Sequence, residues 1–209
     1  GVTCRFRSTT DCLLVPWELE QVRCESIPGG RMQLRLEMRL TTSAAKSYLV
    51  GRPVRFFLAA ERRAALDVLK HLHENLDDIT IAEPDPRGRP AKEVSLGKDP
   101  FKLVGFTEAE ALLPSDKRLF PGYRLLQEYY TLPEKFAFFD LYDVARGMRG
   151  DERSERYDIC LRCKGTFPSA SKIDREWVKL HCVPAINLFE GSADPVRVAA
   201  CKALGAEVV

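Results

Sequence analysis

Cys160-x-x-Cys163, with His181-Cys182 downstream, comes closest to a reaction centre in this sequence. Thiolates and imidazole together hold zinc, or supply a nucleophile and its base. Two features work against that use. Structural zinc sites draw on two spaced pairs, whereas His181 and Cys182 are adjacent. In a strand, positions 160 and 163 also point to opposite faces. A zinc- or thiol-dependent enzyme using Cys160, Cys163, His181 and Cys182 is therefore the alternative to be weighed. The seven cysteines, at 4, 12, 24, 160, 163, 182 and 201, are odd in number and irregular in spacing. That pattern favours reduced thiols over a secreted disulfide framework.

Other chemical motifs are incomplete. His71 and His73 are two apart, so a helix carries them on different faces, unlike a chelating i, i+4 pair. Arg87-Gly88-Arg89 between prolines matches the core of a minor-groove hook, but Glu83, Asp85 and Glu93 flank it. Ser169-x-x-Lys172 lacks the partner motifs of penicillin-binding enzymes. There is no phosphate-binding glycine loop and no His-Glu-x-x-His. The paired acids Asp77-Asp78 and Asp151-Glu152 fall in expected turns.

These residues ride on short strands and few helices. Met32, Leu34, Leu36, Met38 and Leu40 alternate with Gln33, Arg35, Glu37 and Arg39, a strand with one face on a core. Pro28-Gly29-Gly30 before it reads as a turn. Arg52–Ala59 is a further strand. Leu66, Leu69, Leu72 and Leu76 predict an amphipathic helix within Glu61–Asn75. Strands follow at Asp78–Ala82, Glu93–Leu96, Leu103–Phe106 and Tyr157–Cys163. Thr107 is placed to cap a short helix. Tyr123–Tyr130 reads as a helical turn or two, stopped at Pro133. Lys135–Leu141 reads as a strand covered on both sides. Residues 83–100 and 143–156 read as exposed loops. Trp177–Phe189 starts as a strand, and Pro195–Val198 is a last short one. The pattern predicts an α+β fold, mainly antiparallel β-sheet and sandwich-like, with a few short helices. Two β-rich modules, 1–100 and 101–209, are expected to pack together or to form one continuous domain.

Composition narrows the function. A net charge of +2 from 32 basic and 30 acidic residues gives no global field for nucleic acid or an anionic membrane. No apolar run reaches the roughly 20 residues of a membrane helix. The chain opens on Gly1 without a methionine or a signal pattern, so its natural start is expected upstream. The densest apolar stretch, Phe120–Leu141, is expected to form a core or an interface.

That stretch also carries a resemblance. Pro121-Gly122-Tyr123-Arg124-Leu125-Leu126-Gln127-Glu128-Tyr129, then Pro133-Glu134-Lys135-Phe136 and Phe139-Asp140-Leu141, is similar to the signature of the TssF family of type VI secretion baseplate proteins, also called VasA or ImpG. Val104-Gly105-Phe106, Glu110–Pro114, Leu180–Pro184, Ile186-Asn187-Leu188-Phe189-Glu190 and Asp194–Arg197 agree in order. Thr131-Leu132 departs from a more usual Ala-Phe. The resemblance covers about residues 2–198 and matches a middle portion of a longer protein. It implies a cytoplasmic part of the baseplate wedge, docked at the membrane in the assembled machine. Two TssF copies join one TssG there, alongside the sheath-linked TssE and the adaptor TssK. It implies no enzyme activity, no cofactor or metal, no nucleic acid and no membrane insertion. Phe120–Leu141 is then the expected structural centre. Arg35 and Arg39 on the β-face, with Arg87 and Arg89 in the 83–100 loop, are the expected partner contacts.

Overall fold

A computed structural model describes residues 6–42, 45–84, 92–112, 120–148, 154–187 and 198–202. The alternating segment forms β3 (Arg31–Leu40), preceded by β1 (Phe6–Ser8) and β2 (Trp17–Ile27). β2 and β3 join as a hairpin with Ile27 opposite Arg31. Gly29 and Gly30 take φ of 86° and 67° at its tip, a left-handed bend open to residues without a Cβ. Leu34, Leu36, Met38 and Leu40 are buried, while Arg35, Glu37 and Arg39 lie on the opposite face.

After a short α1 (Ala45–Tyr48) come β4 (Val54–Leu58) and α2 (Arg62–Asn75). The Glu61 carboxylate accepts from the Arg63 and Ala64 amides at 3.2 and 3.3 Å and starts the helix. Its buried stripe is Ala65, Val68, Leu69 and Leu72. Leu66, expected in that stripe, is only half-buried, and Leu76 belongs to the next strand. Then follow β5 (Leu76–Glu83), β6 (Lys92–Gly97), β7 (Phe101–Leu103), α3 (Pro121–Thr131), β8 (Phe138–Leu141) and α4 (Val144–Gly147). The last strands are β9 (Arg156–Lys164), β10 (Val178–Leu180), β11 (Cys182–Asn187) and β12 (Val198–Lys202).

Among the described residues every strand pairing is antiparallel. The sheets run β2-β3-β9-β5-β6, β10-β4-β8-β7 and β1-β11-β12. Leu34, Leu36, Ile79, Ile159 and Leu161 from the five-stranded sheet share one core with Val54, Phe56, Phe139 and Leu141 from the four-stranded sheet. The result is the α+β, mainly antiparallel architecture read from the sequence. β9 inserts between β3 and β5, so strands from either side of residue 100 alternate within one sheet.

Several local expectations change. Residues 133–136 form a 3-10 turn, because Pro133 opens a turn and cannot join a ladder; the strand begins at Phe138. The residue after Thr107 begins a 3-10 turn, Glu108–Glu110. Within 143–156, Val144–Gly147 is helical and packs Gly147 against Ile81; a Cβ there would lie 2.3 Å from the Ile81 side chain. The last strand lies at 198–202.

Candidate functional site

α3 is amphipathic in the unexpected sense. Its buried residues are Arg124 and Glu128, one turn apart. Glu128 is fully buried. Its Oε2 accepts from Arg124 Nη1 at 2.9 Å and from Lys135 Nζ, and its Oε1 accepts from the Leu112 amide at 2.8 Å. Arg124 Nη2 also donates to the carbonyls of Phe106 and Thr107 at 3.2 and 3.3 Å. Burial pushes the Lys135 ammonium below its usual range, and the hydrogen bond to Glu128 works against that shift.

A second cluster lies beside it. Arg55 grips Asp140 with two bonds of 2.8 Å, which raises the guanidinium further above its ordinary value. Glu110 stands 4.0 Å from Arg55 and accepts from the amides of Gly105 and Thr107 and from the Thr107 hydroxyl. Burial alone would raise the Glu110 carboxyl, but those donors and Arg55 hold it below the usual range. Gly105, at φ 102°, lets the chain pass close beneath: a Cβ there would lie 2.8 Å from the Lys135 carbonyl.

With its ions turned in, α3 turns its apolar residues out. Tyr130 is 83% exposed, Phe120 71%, Tyr123 65% and Leu126 56%. Between α2 and α3 runs a groove of about 660 Å³. It is lined by Leu66 of α2, by Tyr123, Leu126 and Tyr129 of α3, and by Phe106 and Phe136. The Phe106 and Phe136 rings meet at 5.1 Å, tilted by 54°, and Tyr129 meets Phe136 at 6.2 Å. Phe120 folds over Gly122, where a Cβ would meet its ring at 2.4 Å. Among the described residues, no lining side chain carries a charge. Such a surface holds apolar matter; it offers no paired acid and base.

The expected structural centre is therefore split. Pro133, Lys135, Phe136 and Phe139 are buried and Glu134 half-buried. Phe139 stacks on Phe56 at 5.2 Å and meets the tilted ring of Phe101 at 5.5 Å. Pro121 starts α3, and Tyr123, Leu126 and Tyr129 face outward. Asn187 ends β11 opposite Phe6. Leu188, Phe189, Arg87 and Arg89 lie outside the described residues.

Arg35 and Arg39 sit on the outer face of the five-stranded sheet with local partners. Arg39 pairs with Glu18 and, at 3.0 Å, with Glu20. Arg35 pairs with Glu25 at 3.3 Å and lies 4.0 Å from Asp158. Arg23–Glu37 and Arg162–Glu93 extend the ladder. Burial pushes the Asp158 carboxyl up to about 6, with Arg35 opposing the shift.

The thiol and imidazole residues are not brought together. Cys163 joins the main core, while Cys160 points to the opposite face beside Arg35. Burial pushes their thiols up to about 12 and about 11, so both stay protonated near neutral pH. His181 turns its Nε2 to the Val15 backbone, 2.9 Å from the carbonyl. Cys182 donates to the Leu180 carbonyl. Among the described residues, no three of His, Cys, Asp and Glu are grouped to hold a metal. Also among them, no helix is long and apolar enough to cross a membrane.

Comparison with known proteins covers nearly the whole chain. Residues 1–203 match the family model "Type VI secretion system, TssF". The chain is 37% identical over 207 residues to the type VI secretion system component TssF1 of Pseudomonas aeruginosa, covering 93% of this chain and 33% of that protein. It superposes with a TM-score of 0.75 and 27% identity on a chain of the TssK-TssF-TssG baseplate subcomplex solved by cryo-electron microscopy, covering 91% of this chain and 35% of that one. The chain thus spans about a third of the length of the relatives it matches. The family match spans nearly all of the chain in sequence, the superposition covers 91% of it in fold, and the chain belongs to the TssF family of the type VI secretion system.

Proposed function

We propose that the chain is a non-catalytic scaffold in the baseplate wedge of a type VI secretion system. It joins TssG and TssK there, with a second TssF copy and TssE in the same wedge, on the cytoplasmic side of a membrane-docked assembly. The observation that carries this reading is the polarity of α3. A helix that buries Arg124 and Glu128 while exposing Phe120, Tyr123, Leu126 and Tyr130 is built for contact. The uncharged groove beside it supports binding by buried area rather than by chemistry. Membership of the family, and a structural neighbour drawn from a TssK-TssF-TssG subcomplex, support the choice of partners.

The test is co-expression of the full-length protein with tagged TssG and TssK, followed by size-exclusion chromatography. Co-elution at a fixed ratio is expected. Elution of the protein alone at micromolar concentration would remove the scaffold reading.

A further inference from the structure

We infer that Arg55 of β4 is a positioning residue for α3: through Glu110 it fixes the strap formed by residues 105–112, and the strap fixes the helix. The inference concerns how α3 is held and is independent of what lies over its outer face.

α3 is seated by ions. Its buried side chains are Arg124 and Glu128, while Leu125 is half-buried and Tyr123, Leu126, Tyr129 and Tyr130 are exposed. Both ions grip the strap. Arg124 Nη2 donates to the carbonyls of Phe106 and Thr107, and Glu128 Oε1 accepts from the Leu112 amide. Within the strap, Glu110 divides its carboxylate. Oε2 takes the amides of Gly105 and Thr107 at 2.9 and 3.1 Å and the Thr107 hydroxyl at 2.8 Å, while Oε1 lies 4.0 Å from Arg55 Nη2. Arg55 is itself fixed, because Asp140 lies opposite it in the β4–β8 ladder and takes it with both oxygens. Thr107 is thus held at both backbone ends, its N–H by a carboxylate and its C=O by a guanidinium. Asp140, Arg55, Glu110, Arg124, Glu128 and Lys135 alternate in sign from the ladder, across the strap, to the 3-10 turn after α3. Buried hydrogen-bonded charges polarise one another, and losing one weakens the hold of the rest. An altered Arg55 therefore acts on α3 through Glu110 and Thr107.

Hydrogen exchange of the full-length protein, read by mass spectrometry, tests the inference. Arg55→Gln is expected to speed exchange of the α3 amides about tenfold and to leave β3 and β9 unchanged. Unaltered α3 exchange overturns the inference, and so does equal acceleration in β3 and β9, which reports general loosening. Glu110→Gln leaves the Arg55–Asp140 pair in place, so it is expected to speed α3 while β4 and β8 keep their protection. Faster exchange in β4 and β8 with α3 unaltered overturns the inference as well. The last arm measures coupling. Arg124→Lys keeps a cation beside Glu128 but loses the reach to the Phe106 and Thr107 carbonyls. In that background Arg55→Gln is expected to change α3 exchange by less than about twofold. The same factor in both backgrounds means that Arg55 does not act through the strap, and removes the inference.

Discussion

The outer face of the five-stranded sheet and the surroundings of α3 use the same ingredients in opposite order. On the sheet, Arg23, Arg35, Arg39 and Arg162 lie outside an apolar core and pair with acids on other strands of the same sheet. Around α3, Arg124, Glu128 and Lys135 lie inside, and the rings of Phe120, Tyr123 and Tyr130 lie outside. The sheet face answers its own charges at the surface, where each pair contributes little and water remains a substitute. The α3 cluster has no such substitute, so its geometry must be kept whole. The difference separates a surface that is finished by itself from one that is rigid beneath and incomplete above.

Four measurements press on that contrast, in order of expected effect. Glu128→Ala removes the buried carboxylate that accepts from Arg124, Lys135 and the Leu112 amide, and a loss of about 3–5 kcal/mol is expected by denaturant unfolding. A loss below about 1 kcal/mol would mean the buried ions behave like surface ones. The aromatic residues test the other half. Phe139→Ala, in the core, is expected to cost about 3–5 kcal/mol, whereas Tyr130→Ala is expected to change stability by less than about 0.5 kcal/mol. Similar losses for both would place Tyr130 in the core after all.

The third measurement follows pH. Asp158 ionises near 3.8 when unfolded and near about 6 when folded, so the folded chain holds the extra proton in between. Its contribution therefore falls as pH rises through that window and stays lost above it. Asp158→Asn should flatten this decline, by about 1 kcal/mol after solvent screening, in unfolding free energies measured across pH 4 to 7. A wild-type curve that climbs relative to the variant over that range would reverse the assignment. The smallest effect belongs to Arg39→Ala, about 0.5 kcal/mol or less, and it should shrink further in high salt.

Much of the frame could be read from residue order. The period of two in Met32–Leu40, the leucine spacing before Asn75 and the double-sided apolar run ending at Leu141 each correspond to an element of the fold. They were legible because burial there follows hydrophobicity. Where burial follows ion pairing, the same rule misleads. Arg124 and Glu128, four apart, look like a solvent pair, and Tyr123, Leu126 and Tyr130 look like core. The one signal available was charge amid aromatic density: Arg124, Glu128 and Lys135 stand among Tyr123, Tyr129 and Phe136. Arg55, Asp140 and Glu110 gave no hint, since they meet only through pairing of β4 with β8 and the turn after Gly105. The position of β9 was equally hidden, because alternation marks a strand but not its neighbours.

That insertion of β9 has a bearing on how the chain reaches its native form. Met32 and Cys163 are ladder neighbours, so the middle of the largest sheet stays open until synthesis has passed most of the intervening sequence. Until then β3 and β5 each present a bare hydrogen-bonding edge over unburied leucine and isoleucine, a state prone to mispairing with other nascent copies. Closure is governed by contact order, and a folding helper or an early-arriving assembly partner would act most usefully in the interval before β9 arrives.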